Sequence, residues 1–230
     1  LPVLTRKLVA EGVGTALLLI GVVGSGIMAE RLSPSDAGLQ LFQNAAATAG
    51  VLYAVILMFG PVSGAHFNPA VTLADWALEG FPRRHIAPYI VAQVAGAVAG
   101  AVLANLMFDL DAVDWSSKDR SAGHLWLGEV IATAGLVALI FALVRTGRYR
   151  YAAGGVAAYI GGAYYFTSST SFANPAVTVG RMFSDSFAGI EPSSAPMFIV
   201  MQIAGLVAAV ALIRFMYPTG REREGASGER

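Results

Sequence analysis

The chain has 230 residues, 56% of them hydrophobic and only 13% charged, with a mean hydropathy of +0.62, whereas soluble domains carry about a quarter charged residues. Fifteen Lys and Arg balance fifteen Asp and Glu, which argues against a nucleic-acid surface or an acidic tail. Without a single cysteine, disulfides, thiolate nucleophiles and cysteine-based zinc sites are excluded, and the composition is that of a chain solvated by lipid.

The sequence opens on Leu rather than Met, so an upstream start is expected. Arg6 and Lys7 precede an apolar run to about Met28. That run contains Glu11 and lacks a small-residue cleavage pattern, so it reads as a retained first span and not as a leader. Segments of about twenty mostly apolar residues suffice to cross the hydrocarbon core. They lie near 8–29, 39–59, 86–108, 124–144, 151–168 and 196–217, which predicts six crossings. Between the second and third, and between the fifth and sixth, the stretches 60–85 and 169–195 are neither polar loops nor long enough to cross. Placing both termini inside puts eleven basic residues on the inner face (Arg6, Lys7, Arg83, Arg84, Arg145, Arg148, Arg150, Arg214, Arg221, Arg223, Arg230) and four outside (Arg31, Lys118, Arg120, Arg181), which sets the orientation. The charged segment 218–230 is expected to be a disordered tail.

The chain is built twice. NPAVT occurs at 68–72 and again at 174–178, an offset of 106; Glu11 in AEGVGTA is matched by Glu129 in GEVIATA, and Gln93 in VAQVAG by Gln202 in VMQIAG. The repeats cover about 5–108 and 124–217 within one channel-like domain spanning 1–230. Three crossings per repeat is an odd number, so the second half runs through the membrane in the opposite sense to the first. The two NPAVT segments then enter from opposite faces. In each, Asn is an N-cap and Pro a first helical residue with no N–H to leave unsatisfied, so AVTLADWAL and AVTVGRMF are predicted short helices. The preceding SGAH and TSSTSF cannot face lipid and must be buried in protein or line a wet cavity. Glu11 and Glu129 are expected to accept hydrogen bonds from loop N–H groups, a structural use of a buried carboxylate, with an ion or proton site as the competing reading. Gly12, Gly96 and Gly100 are expected at close helix contacts.

These features together resemble the major intrinsic protein family, the aquaporins and aquaglyceroporins: AEGVGT, SGAHFNPAVT, GEVIAT, ANPAV and the paired AQ and MQ segments cover about 5–217. The resemblance implies an all-α integral membrane fold. It has six transmembrane helices plus two re-entrant half-helices, an inverted 3+3 repeat, four protomers together in the bilayer, and passive flow of small uncharged solutes. It places Asn68, Pro69, Ala70, Asn174, Pro175 and Ala176 at the pore centre. It also implies carbonyl acceptors at Gly64, Ala65 and His66 on one side and at Thr170, Ser171 and Phe172 on the other.

Counting from the two Asn residues, the family's four-residue filter falls on Thr48, Gly162, Ser171 and Val177. Most relatives carry arginine at the last of these. A ring-free, uncharged and wide filter is therefore expected. The pattern resembles arsenic-resistance-associated bacterial members, with neutral arsenite, methylated arsenicals, glycerol and water as candidate solutes. Arg181, four residues after Val177 on the same helix face, is expected at an outer vestibule one turn beyond the filter. There it either gathers acidic solutes, snorkels to water, or pairs with Asp185. A secondary transporter also uses broken helices and inverted repeats, but no acid remains to carry a coupled ion once the glutamates support loops. Three scattered histidines and no HExxH or GxSxG leave no enzyme chemistry, metal or cofactor to expect. A bacterial inner membrane is the expected location.

Overall fold

A computed structural model describes residues 3–219 of the chain; the expected tail beyond Thr219, with Arg221, Arg223 and Arg230, lies outside the described residues. The described part is helical: α1 (Val3–Leu32), α2 (Ala37–Ser63), α3 (Pro69–Glu79), α4 (Arg83–Met107), α5 (Gly123–Arg145), α6 (Ala152–Phe166), α7 (Pro175–Arg181) and α8 (Ala195–Met216), with a single 3-10 turn at Tyr149–Tyr151. Among the described residues, α1, α2, α4, α5 and α8 are long and apolar enough to cross a membrane. The crossing expected at 151–168 differs. There α6 has 15 residues, about 22 Å of helix at 1.5 Å per residue, lengthened at its start by the 3-10 turn. It ends at Phe166 because Thr167 takes an extended backbone, its N–H and Oγ1 both still donating to the Ala163 carbonyl at 3.1 and 2.7 Å.

The repeat governs the packing. In the first half α1 packs on α4 and α2; in the second α5 packs on α8 and α6; α2 and α6 join the halves. The half-helices bridge the halves, α3 resting on both α4 and α8 and α7 chiefly on α4. In lipid there is no hydrophobic gain from pairing apolar helices, so close backbone approach and van der Waals contact must hold them. Glycines make that possible at equivalent places. A Cβ added to Gly96 of α4 would lie 2.2 Å from the Gly12 carbonyl oxygen of α1, and one added to Gly205 of α8 would lie 2.5 Å from the Val130 carbonyl oxygen of α5. Leu19, Val23, Ala97, Ala101 and Ala104 fill the seam of the first half, while Phe42, Leu57, Val91, Val207 and Phe215 point outward where acyl chains would lie.

Gly96→Val is expected to force α1 and α4 apart and lower stability by about 1–3 kcal/mol, the usual cost of overpacking. Gly50→Ala, which lies inside α2 and meets nothing within 4 Å, should leave stability unchanged or raise it by up to about 1 kcal/mol. Thermal denaturation in detergent, followed by loss of the folded gel-filtration peak, measures both.

Candidate functional site

Two helix tips meet at the centre of the bundle. Asn68 and Asn174 both have extended backbones (φ −155° and −159°) and cap α3 and α7. The Asn68 Oδ1 accepts from Ala70 N at 2.9 Å, and the Asn174 Oδ1 from Ala176 N at 2.9 Å and Val177 N at 3.2 Å. Their amide nitrogens reach across the repeat boundary: Asn68 Nδ2 donates to the Ala173 carbonyl and Asn174 Nδ2 to the Phe67 carbonyl, both at 2.7 Å. An amide nitrogen carries two hydrogens, so each Asn keeps a second donor, and both residues line a central cavity. Pro69, Ala70, Pro175 and Ala176 are buried in the helix tips behind that wall.

The chain enters each tip through strained backbone. Positive φ recurs at matching places, Gly64, Ala65 and Phe67 (91°, 51° and 49°) and Thr170, Ser171 and Ala173 (63°, 50° and 49°). A left-handed non-glycine residue costs about 1–2 kcal/mol, so something must hold these loops. Two fully buried carboxylates do. Glu11 Oε1 accepts from His66 N at 3.0 Å and Ser63 Oγ at 2.6 Å, and its Oε2 from Phe67 N at 2.7 Å and Gln93 Nε2 at 2.8 Å. Glu129 accepts from Phe172 N and Ala173 N, both at 2.9 Å, and from Gln202 Nε2 at 2.6 Å. The two glutamines also donate to Thr72 and Thr178 at 3.0 and 2.9 Å, tying each glutamate to a half-helix. Hydrogen-bond donors rather than cations satisfy these carboxylates, since among the described residues the salt bridges are His66–Asp75 and Arg145–Glu79.

The cavity has a volume of about 250 Å³. Its walls divide by chemistry. Leu18 and Val22 of α1, Leu52 and Ile56 of α2, Leu136 and Ile140 of α5, and Val156 and Ile160 of α6 form an apolar side; the loops and Asn tips form the polar one. Gly64, Ala65, His66 and Phe172 belong to the wall, whereas Thr170 does not. The Gly64 carbonyl already accepts from the Tyr149 hydroxyl at 3.0 Å. His66 is held from two sides, Nδ1 3.1 Å from Thr72 Oγ1 and Nε2 3.2 Å from Asp75 Oδ2.

Thr48, Ser171 and Val177 line this cavity, but the expected ring-free, uncharged filter is not what surrounds them. Gly162 is absent from the wall: it sits on the exposed face of α6, where an added Cβ would meet the Phe166 ring at 3.8 Å. The wall stripe of α6 runs Ala152, Val156, Ile160, Tyr164. Gly162 is two residues from the last two, about 200° around the helix at 3.6 residues per turn. Tyr164 takes the place expected for Gly162, its hydroxyl 3.0 Å from Thr48 Oγ1.

Arg181 also departs from expectation. It is not at an exposed lip, being 1% exposed, and it lines the cavity. Its guanidinium carbon stacks 3.4 Å from the Phe172 ring centroid, and its Nε donates to the Ala188 carbonyl. Asp185, its expected partner, instead accepts from Ser117 N at 3.0 Å. Two causes combine. Side chains lean toward the N-terminus of their helix, carrying the guanidinium back toward Val177, and the chain after α7 folds over it, Ile190 N donating to the Arg181 carbonyl at 3.3 Å. Beside it in the loop between α4 and α5, Arg120 stacks 4.8 Å from the same ring and donates to the carbonyls of Gly189 and Ser169 at 2.9 and 3.1 Å. Burial, then the neighbouring Arg181, pushes Arg120 down to about 9. Burial, helped by Arg120 and Arg181, pushes Lys118 down to about 8. The signal for Tyr164 was available in the four-residue stripe of α6; the burial of Arg181 depends on a fold-back that local sequence does not announce.

With this geometry in place, comparison with known proteins is informative. A family model described as major intrinsic protein matches residues 2–173, ending one residue before Asn174. Aquaglyceroporin AqpS from Rhizobium meliloti (strain 1021) is 49% identical over 219 residues, covering 95% of this chain and 93% of its own. Probable aquaporin AqpM from Archaeoglobus fulgidus is 29% identical, covering 93% of this chain and 97% of its own. Among solved structures, the aquaglyceroporin from Plasmodium falciparum superposes with a TM-score of 0.72 at 20% identity over 94% of this chain and 96% of its own, a likeness of fold.

Glu129→Leu is expected to strand the Phe172 and Ala173 N–H groups at about 1–3 kcal/mol each. Glu129→Gln keeps one acceptor oxygen and should lose less. Melting temperatures of the purified variants, wild type above Gln above Leu, check the order.

Proposed function

The chain belongs to the major intrinsic protein family, and on that premise we propose that it is a passive transmembrane channel for water and for small uncharged hydroxylated solutes. The observation that carries the reading is the central cavity with one apolar side and one polar side, crossed at its middle by the Asn68 and Asn174 amides. A solute stripped of water needs a hydrogen-bond ladder on one side and an inert wall on the other, so that binding is strong enough to enter and weak enough to leave. Asn68 and Asn174 supply the donors, the carbonyls of Ala65 and His66 the acceptors, and the leucine and isoleucine stripe faces the carbon or methyl side of the solute.

Glycerol and arsenous acid share the relevant chemistry: each is a neutral molecule of similar size carrying three hydroxyl groups. Glycerol, arsenous acid and its methylated relatives are accordingly the favoured solutes beside water. The protein works as a homotetramer with one pore per chain, in a bacterial inner membrane, with both termini on the cytoplasmic side as the distribution of basic residues supports.

In proteoliposomes followed by stopped-flow light scattering, glycerol and arsenous acid should enter faster than into protein-free vesicles, with flux nearly linear in concentration. Saturating flux would favour a carrier, and entry no faster than in empty vesicles would overturn the proposal. An imposed pH gradient should persist far longer than with gramicidin. Mercurials, which act through thiolates, should leave the flux unchanged because the chain has no cysteine.

A further inference from the structure

We propose that Asp75 is a solute-binding residue of the channel: its carboxylate accepts two hydrogen bonds from a solute that carries neighbouring hydroxyl groups, and so favours vicinal diols and hydroxylated oxyacids over solutes whose hydroxyls stand apart. The inference rests on the channel reading and deepens it by naming the feature of the solute that is read. Three observations support it. First, one face of α3 forms part of the cavity wall: Asn68, Val71 and Asp75 follow at i, i+3 and i+7, and all three line the cavity. Asp75 thus stands about 10 Å along the helix from Asn68 at 1.5 Å per residue, a second polar station beyond the one the asparagines make. Second, its hydrogen bonding is incomplete. Among the described residues its partner is His66, Nε2 to Oδ2 at 3.2 Å, and the Asp75 side chain keeps 24% of its surface exposed, whereas an ionised carboxylate offers about four acceptor sites. Third, the two carboxylates that serve the loops are different in kind. Glu11 collects donors from Ser63, His66, Phe67 and Gln93 and Glu129 from Phe172, Ala173 and Gln202; both are fully buried, and neither lines the cavity.

The contacts around Asp75 hold it without consuming it. His66 is fixed on its far side by Thr72, Nδ1 to Oγ1 at 3.1 Å, and packs with Phe81 and Tyr89 at ring-centroid distances of 5.2 and 5.4 Å. The arginines that reach α3 from other helices go to its C-terminal end: Arg145 donates to Glu79 and to the Leu78 carbonyl, Arg214 to the Ala77 carbonyl, and neither lines the cavity. Val71 of α3 and Phe141 and Val144 of α5 belong to the same wall and offer an apolar surface to the carbon side of a diol. The scaffold itself needs no acid here, since the equivalent position of the second repeat, 106 residues on, holds Arg181. Hydroxyls on adjacent carbons, or on one arsenic atom, reach both oxygens of a carboxylate together, as the paired N–H groups of a guanidinium do. A 1,3-diol must freeze one more torsion to do the same, which weakens its binding.

The test compares entry of propane-1,2-diol and propane-1,3-diol, isomers of the same composition, into proteoliposomes by stopped-flow light scattering, each corrected for protein-free vesicles, with water flux measured alongside. The wild type should pass the 1,2-isomer about three-fold faster than the 1,3-isomer, the effect of one frozen torsion. Asp75→Asn keeps an acceptor for His66 Nε2 but offers one acceptor oxygen in place of two, so it should bring the isomer ratio close to one while water still passes. A residue that merely holds His66 would leave that ratio unmoved in the Asn variant. The wild-type ratio tests the inference by itself, whatever the stability of the variant. A conducting wild type that does not distinguish the isomers, or a folded Asp75→Asn that keeps the wild-type ratio, overturns this inference and leaves the channel reading intact. A wild type that carries no solute overturns the channel reading and this one with it.

Discussion

A chain that turns back on itself inside a bilayer must complete every backbone hydrogen bond without water. Here that requirement falls on two short loops, 64–67 and 170–173, whose residues adopt left-handed conformations and so leave the regular ladders of helices. Glu11 and Glu129 answer it. Each is fully buried, stands in the first third of a long helix, and uses its two oxygens to collect N–H groups that have no helical partner. Everything downstream depends on that arrangement: the loops place the Asn caps, the caps start α3 and α7, and both caps line the cavity. An intramembrane carboxylate is ordinarily a sign of proton or ion traffic. In this molecule the donors that surround it account for its charge.

Much of this was legible in the sequence because it was written twice. The six-span pattern, the two NPAVT segments and their odd number of crossings per half lead directly to the inverted fold, and the glutamate, asparagine and glutamine offsets mark the elements that carry it. What was not legible came from places where helix phase or chain return decides. Counting back from Asn174 landed on Gly162, two residues out of phase with the α6 wall stripe. The packing of α6 on α2 and α5 sets that phase, and distance along the chain does not. Arg181 looked like an exposed helix end, the usual state of a charged residue after a two-turn helix. Only the return of 182–194 over the tip buries it, a tertiary effect with no local pattern.

The repeat is also instructive where it breaks. At the same offset of 106 that relates the asparagines, His66 corresponds to Phe172 and Asp75 to Arg181. In the first half a carboxylate meets an imidazole; in the second half a guanidinium lies over a phenyl ring. All four residues line the cavity. The backbone scaffold is duplicated, yet the fixed charges at its two ends have opposite sign. Duplication thus sets the path, and divergence at a few wall positions gives the path a direction electrostatically.

The reciprocal bonds between the asparagine amides and the opposite loops have a bearing on biosynthesis. Asn68 Nδ2 donates to a carbonyl 105 residues later, and the Phe67 carbonyl waits for an amide 107 residues later; α3 in turn rests on α8, the last helix to be made. A ribosome adding about 5–20 residues each second therefore leaves the first re-entrant segment without these second-half partners for several seconds after it emerges, held by Glu11 and Gln93. The final architecture is consequently a product of late docking, in which the closing span locks a half-helix threaded much earlier, and a nascent chain halted before α8 would present an open seam to the quality-control machinery of the membrane.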